Sequence, residues 1–379
     1  MKTVPRLSYD IVIKPIRFRK WFTVFISSSA LTGFALKFFL AQNYFDGKPW
    51  SFWLLAVALP FLICLMALLT VILVQQFKLQ QKELLQEYEQ QWWQYQQACL
   101  PVKEAIIVGS AGKEQIIWKN LLINKPEPAA AYSINTTSPI LRCPYLMDEI
   151  LTREEMLSKG LAFKFLEADS VKDKQIEILT IFWLGNQTTY QQFLDIIASE
   201  NLKPTHKPHF INSIDELDQI IDFYKKQPIK QANQMLLVAG VSLPEPVTGK
   251  IRAETSFAWC IQKEADYAVY RSEILKPQEE ASTLATQVVE YAQLKEPPKL
   301  NISMSQQSTE KFNSSALHTV EHSLENYFGD VNCKAQPFIA ISQALIHCIN
   351  HAEAACGWSC GDVEKEAYVA GVIAKKQPA

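Results

Sequence analysis

Two long apolar runs open the chain, and beyond residue 100 the pattern breaks into short segments that alternate in period. Residues 21–40 are apolar apart from serines, threonines and Lys37, and residues 53–74 carry no charge. About 20 apolar residues in a helix span the roughly 30 Å of a bilayer's hydrocarbon. Transmembrane helices are therefore expected at about 21–42 and 52–75, joined by a short connection. Trp21, Tyr44, Trp50 and Trp53 stand at the ends of these runs, where amphipathic rings prefer the headgroup level. Residues 76–100 hold no Gly or Pro, and Phe77, Leu84, Tyr88, Trp92 and Tyr95 recur on one helical face. This predicts a helical stalk. Its aromatic stripe is read as packing on the following domain, with pairing of two copies into a homodimer through residues 75–100 as the alternative.

From 101 to 379 the spacing predicts strands at 104–109, 176–184, 235–243, 257–262, 267–271, 300–304 and 367–374. Helices are expected at 113–123, 188–201, 277–293, 309–327 and 336–355. Capping boxes at Thr152–Glu155 and Ser213–Glu216 mark two more helix starts. Lys263-Glu264-Ala265 is the expected turn of a hairpin between the fourth and fifth strands. Strands alternating with helices imply a layered α/β domain with a mostly parallel or mixed sheet.

Charge adds orientation. Residues 1–20 carry six cations (Lys2, Arg6, Lys14, Arg17, Arg19, Lys20) and one anion, leaving 31 cations against 38 anions in the rest. Cations flanking the first membrane helix favour the cytoplasmic side, so both ends are expected in the cytoplasm. The acidic body argues against nucleic acid as a partner, because phosphate binding needs clustered cations. A cytoplasmic domain of this size also leaves its cysteines as free thiols.

Candidate chemistry is sparse. Gly357-Trp358-Ser359-Cys360-Gly361 matches G-x-S-x-G, but the predicted order is helix then strand, the reverse of a nucleophile elbow. Gly109-Ser110-Ala111-Gly112-Lys113 is too short for a phosphate loop, and Glu114 stands where the Mg²⁺-binding hydroxyl belongs. His347, His351, Cys356 and Cys360 have ligand types and a compact spacing that suit zinc, so they form the candidate metal set. A plainly packed helix is the competing reading. No catalytic or cofactor-binding residue is assigned, and no cofactor is expected other than that zinc.

Two resemblances extend this reading. Glu104-Ala105-Ile106-Ile107-Val108-Gly109, followed by Ile117-Trp118-Lys119-Asn120-Leu121-Leu122-Ile123-Asn124-Lys125, resembles the opening of thiolase-like ketosynthase domains. That likeness implies a reactive Cys at a strand-to-helix elbow in mid-domain and histidines in later loops. Cys143, Cys260 and Cys356 lack this setting, which implies a catalytically degenerate version. The layout of basic N-terminus, two-helix hairpin, Trp92-Trp93 pair and α/β domain resembles proteobacterial inner-membrane proteins encoded beside type VI secretion genes. It implies a non-enzymatic adaptor or scaffold that binds a protein partner. The alternative is an enzyme, either an acyl transferase on a thiolase-like core or a zinc-dependent hydrolase.

Overall fold

The computed structural model describes residues 16–39, 49–125, 140–144, 146, 152–172, 175–242, 252–276, 278–318, 324–328, 334–362 and 367–376. It divides into two units that meet between Trp93 and Gln94.

The first unit is helical. α1 (Phe18–Phe39) is followed by α2 (Pro49–Trp53), a π turn over Leu54–Ala58, and α3 (Leu59–Gln96). Two of its stretches, Phe18–Phe38 and Trp50–Gln96, are long and apolar enough to cross a membrane. Pro60 has no N–H for the carbonyl of Ala56, and the wider π turn spans that position. α1 lies against this turn, with Gly33 facing Ala56 and the rings of Phe25 and Phe61 edge to face at 5.7 Å. The helix continues past the end of the apolar run. α3 runs through the expected stalk to Gln96, and Phe77, Leu84 and Tyr88 are exposed along it. The connection around Asp46 and the first 15 residues lie outside the described residues.

The second unit is built on a ten-stranded mixed sheet. β1 (Cys99–Gly109) enters directly from α3, five residues earlier than the pattern suggested. There follow α4 (Gln115–Lys119), α5 (Leu121–Asn124), β2 (Ile140–Leu141), α6 (Arg153–Glu167), β3 (Glu177–Leu184), α7 (Gln187–Ser199), β4 (His209–Ile211), α8 (Leu217–Lys226), β5 (Gln234–Ser242), β6 (Arg252–Ala253) and β7 (Thr255–Ile261). The chain continues with β8 (Tyr267–Tyr270), β9 (Glu273–Leu275), α9 (Ala281–Tyr291), β10 (Asn301–Ser303), α10 (Gln306–Phe312), α11 (Glu325–Phe328), α12 (Gln336–His351), β11 (Ala355–Asp362) and β12 (Ala367–Lys375). The sheet order is β10-β11-β12-β8-β1-β7-β5-β3-β4, with β9 also paired to β12 and β2 paired separately with β6.

Period-two alternation places the two cores. Ala105 and Ile107 of β1 join Leu217, Ile220 and Ile221 of α8 and Phe338, Ile341 and Leu345 of α12 in one cluster. Ile106 and Val108 point the other way, into a cluster with Leu157, Leu161 and Phe165 of α6 and Phe193 and Ile197 of α7. The parallel strands β3, β4 and β5 are connected through α7 and α8, as parallel neighbours require.

Several expectations need correction. β7 and β8 form no hairpin: both pair antiparallel with β1, on its two edges, so residues 262–266 cross over that strand. The expected helix 309–327 is two short ones, α10 and α11, and the helix 113–123 breaks at Asn120. The first expected capping box holds, with Thr152 and Glu155 opening α6. At the second expected box the Ser213 side chain caps nothing. Instead Glu216 accepts from the Asn212 amide at 2.8 Å, and a 3-10 turn over Ile214–Glu216 precedes α8.

Candidate functional site

A condensing site needs a nucleophile at a strand-to-helix elbow, because there the helix N-terminus and free amides meet the side chain. Among the described residues, three strands turn into a helix within two residues. After β3, Gly185 takes φ +145°, a conformation open to glycine, and Asn186 caps α7 by accepting from the Thr189 amide at 2.8 Å. After β4, Asn212 and Ser213 lead into the 3-10 turn. After β10, Met304 is followed by Ser305, whose Oγ accepts from the Ser308 amide at 3.2 Å. None of these elbows carries a cysteine or a histidine.

The elbow at β10 is instead rich in hydroxyls. Ser303 Oγ donates to the Ser305 carbonyl at 2.8 Å and lies 2.5 Å from Ser308 Oγ. Asn301 Nδ2 donates to the Leu317 carbonyl at 2.8 Å and reaches Ser359 Oγ at 3.3 Å. Ser359 belongs here rather than to a nucleophile elbow. Gly357–Gly361 lies within β11, paired to β12 along its length, and Ser359 is fully buried. Gly357 is there because a Cβ would sit 2.7 Å from both Asn301 Oδ1 and Leu317 Cδ2.

Among the described cysteines, Cys143, Cys260, Cys348, Cys356 and Cys360 are buried thiols, and Cys64 and Cys99 are half-buried. Burial pushes the Cys143 thiol up to about 12, helped by the adjacent Glu254 charge and opposed by Arg153 and Lys113. Burial likewise raises Cys260, Cys356 and Cys360, which are fully enclosed, and Cys99. A thiol held neutral in this way is a poor nucleophile, since the thiolate is the reacting form. Cys333 lies outside the described residues.

The zinc set does not assemble. Cys356 and Cys360 lie four residues apart on one strand, not on a helix, which separates them by roughly 13 Å at 3.3 Å per residue. Two thiolates on one zinc each lie about 2.3 Å from the ion. His347 and His351 do stack one turn apart, with ring centroids at 4.7 Å, and His351 Nε2 is 2.9 Å from the Lys119 carbonyl. Among the described residues no group of three or more His, Cys, Asp or Glu side chains could hold a metal ion.

Two charged networks carry the polar organisation, and no motif announced either of them. Arg153 of α6 pairs with buried Glu254, its Nε donating to Oε1 at 2.9 Å, while Glu254 Oε2 accepts from the Cys143 amide at 3.1 Å. Arg153 also donates to the carbonyls of Leu146 and Cys143, tying both residues to the start of α6. The second network centres on Arg271, which has no exposed surface. Its guanidinium pairs with Asp218 and Asp222 of α8, donates to the Tyr95 carbonyl at 2.9 Å, and lies 3.9 Å from the Tyr95 ring centroid. Tyr95 Oη donates to Asp222 Oδ2 at 2.9 Å. Burial and that aspartate raise the Tyr95 phenol. The only sequence signal was a lone arginine closing the apolar strand Tyr267–Tyr270.

A cavity of about 290 Å³ opens beside the early part of β1, lined among others by Lys103, Glu104, Lys119, Asp169, Asp266 and Tyr267. Its charges are of both signs, and Glu104 already accepts from the Ser170 amide at 2.8 Å.

Mixed sheet, enclosing helix layers and elbow positions define a thiolase-like α/β fold. Solved structures agree. The ishigamide ketosynthase/chain length factor superposes with a TM-score of 0.54 at 11% identity, over 74% of this chain and 100% of that one. The ketosynthase from module 1 of the bacillaene synthase from Bacillus amyloliquefaciens FZB42 does so with a TM-score of 0.50 at 9% identity, over 75% and 77%. At such identities the likeness is one of fold. No family model matches the sequence, and no curated relative matches it.

Proposed function

We propose that this chain is a membrane-anchored adaptor whose thiolase-like body binds another protein and does not condense acyl groups. The observation that carries the reading is the state of its thiols. The described elbows hold no cysteine or histidine, and Cys143, Cys260, Cys356 and Cys360 are buried and held protonated. In this reading α1 and the apolar part of Trp50–Gln96 form a transmembrane hairpin. The cations at Arg17, Arg19 and Lys20 keep the N-terminus and the α/β body in the cytoplasm of a bacterial cell. Type VI secretion, with the body engaging an effector, is the setting its layout suits.

The fold itself favours a second reading, an acyl-transfer enzyme. One experiment separates the two. The full chain in detergent is incubated with acyl-pantetheine thioesters and its mass is read before and after. No covalent acylation is expected, and a stable acyl adduct on any cysteine overturns the adaptor reading. Affinity capture with the full chain from a native lysate is expected to recover a protein partner in stoichiometric amount.

A further inference from the structure

The sheet ends in two different ways. At one end β10 is wholly buried, whereas at the other β4 pairs, among the described residues, with β3 alone and leaves His209 and Phe210 exposed. A strand with one free side offers a row of amides and carbonyls to another chain. We infer that this open edge is the docking site for an extended, carboxylate-bearing segment of a protein partner, which adds to the sheet beside β4. The inference rests on the adaptor reading and names the kind of partner.

Three features select that occupant. The first is charge. Lys203, His206, Lys207 and His209 are all exposed, and residues 201–213 contain no Asp or Glu, within a body that is acidic after Lys20. Complementary charge favours a segment rich in carboxylates. The second is the paired ledges that flank the edge. On one face the His209 ring stacks on Phe182 at 4.9 Å and lies 5.6 Å from Phe223 of α8. On the other, Phe210 meets Tyr190 of α7 at 5.7 Å. An incoming strand points alternate side chains to the two faces, so each face has an aromatic ledge to receive them.

The third feature is preparation of the edge. The amides of Thr205 and His206 donate to the carbonyls of Ile178 and Leu179, and Thr180 Oγ1 donates to the Lys207 carbonyl at 3.1 Å. The cationic run is thus fastened along β3. Pro204, Pro208 and the lysines restrict pairing at the same time, being the residues that keep open edges from joining indiscriminately. A second copy of this chain would bring two more lysines to the same edge.

The test uses the full chain in nanodiscs and a fluorescein-labelled octapeptide of alternating Val and Glu. Two control peptides carry Lys in place of Glu, or a central Pro. Saturable binding of the Glu peptide is expected, with both controls weaker by about tenfold or more. The double variant Lys203→Glu, Lys207→Glu should weaken the Glu peptide by about tenfold and favour the Lys peptide, with unchanged thermal unfolding because both side chains are exposed. Amide exchange at residues 209–211 should slow when the Glu peptide binds. The inference is overturned by absence of saturable binding, by binding indifferent to the double variant, or by exchange protection that appears only elsewhere. A dimer whose dissociation on dilution exposes residues 209–211 overturns it too. A native partner captured equally by wild type and double variant overturns the edge while leaving the adaptor reading standing.

Discussion

Replacing Arg271 by Met is the sharpest perturbation of the body. The substitution keeps much of the apolar stem and removes the guanidinium from a fully buried position. Lost with it are the ion pairs to Asp218 and Asp222, the hydrogen bond to the Tyr95 carbonyl and the contact with the Tyr95 ring. Breaking a buried, hydrogen-bonded charge network by removing one partner costs about 3–5 kcal/mol. Here the two carboxylates left behind are partly exposed, at 24% and 29%, and water can reach them. That places the loss at the lower end, about 3 kcal/mol. A cation stacked on an aromatic ring contributes about 1 kcal/mol of this. For a large domain such a loss lowers the midpoint of thermal unfolding by about 6 °C. Arg271→Lys should lose nearly as much, because one ammonium cannot reproduce the planar fork that spans two carboxylates and a carbonyl. The assay is thermal unfolding of the full chain in detergent, with amide exchange resolved by peptide. Exchange should quicken first at residues 94–97 and along α8. If Arg271→Met leaves both the midpoint and exchange at 94–97 unchanged, the network does not hold the end of α3 to the body.

Alkaline phosphatase fused after Ala379 should be inactive and green fluorescent protein there should glow, while an active phosphatase overturns the cytoplasmic assignment. Thiol labelling of the folded chain at pH 8 should leave Cys143, Cys260, Cys356 and Cys360 unmodified by peptide mass mapping, and unfolding should expose all four. Because burial raises these thiols in the folded state, the unfolded chain releases its protons first. Each such thiol should therefore cost up to about 1.4 kcal/mol of stability per pH unit above about pH 9, measured as a falling unfolding midpoint between pH 8 and pH 11. Metal analysis of the purified chain should find zinc well below one equivalent, and full occupancy that is lost on replacing Cys356 and Cys360 would overturn the geometry described for β11.

The sequence revealed what depends on local pattern. The apolar runs, the Thr152 capping box and the strands 177–184, 234–242 and 367–375 all follow from spacing or capping chemistry. What it hid depends on distant partners. β11 reads as a glycine-rich turn until Asn301 and Leu317 are seen to require a residue without Cβ at Gly357. β7 and β8 look like a hairpin because they are adjacent in sequence, yet both are drawn to β1, which is buried along most of its length. The zinc candidate failed for the same reason. A four-residue spacing brings ligands together on a helix and separates them on a strand. Arg271 and Glu254 carry no motif at all, because their partners come from elements far away in the chain.

β1 also sets a schedule for synthesis. It is the first strand of the body to be made, directly behind α3, yet its neighbour β7 is translated roughly 150 residues later and β8 later still. At about 5–20 residues per second a ribosome takes on the order of ten to thirty seconds to supply them. Through that interval Ile106, Ile107 and Val108 wait as an unpaired apolar segment on a chain whose preceding helix enters the lipid in the proposed topology. Closing so long a loop makes pairing slow. The waiting strand is therefore where a chaperone should bind the nascent chain, and where misassembly of this protein should begin.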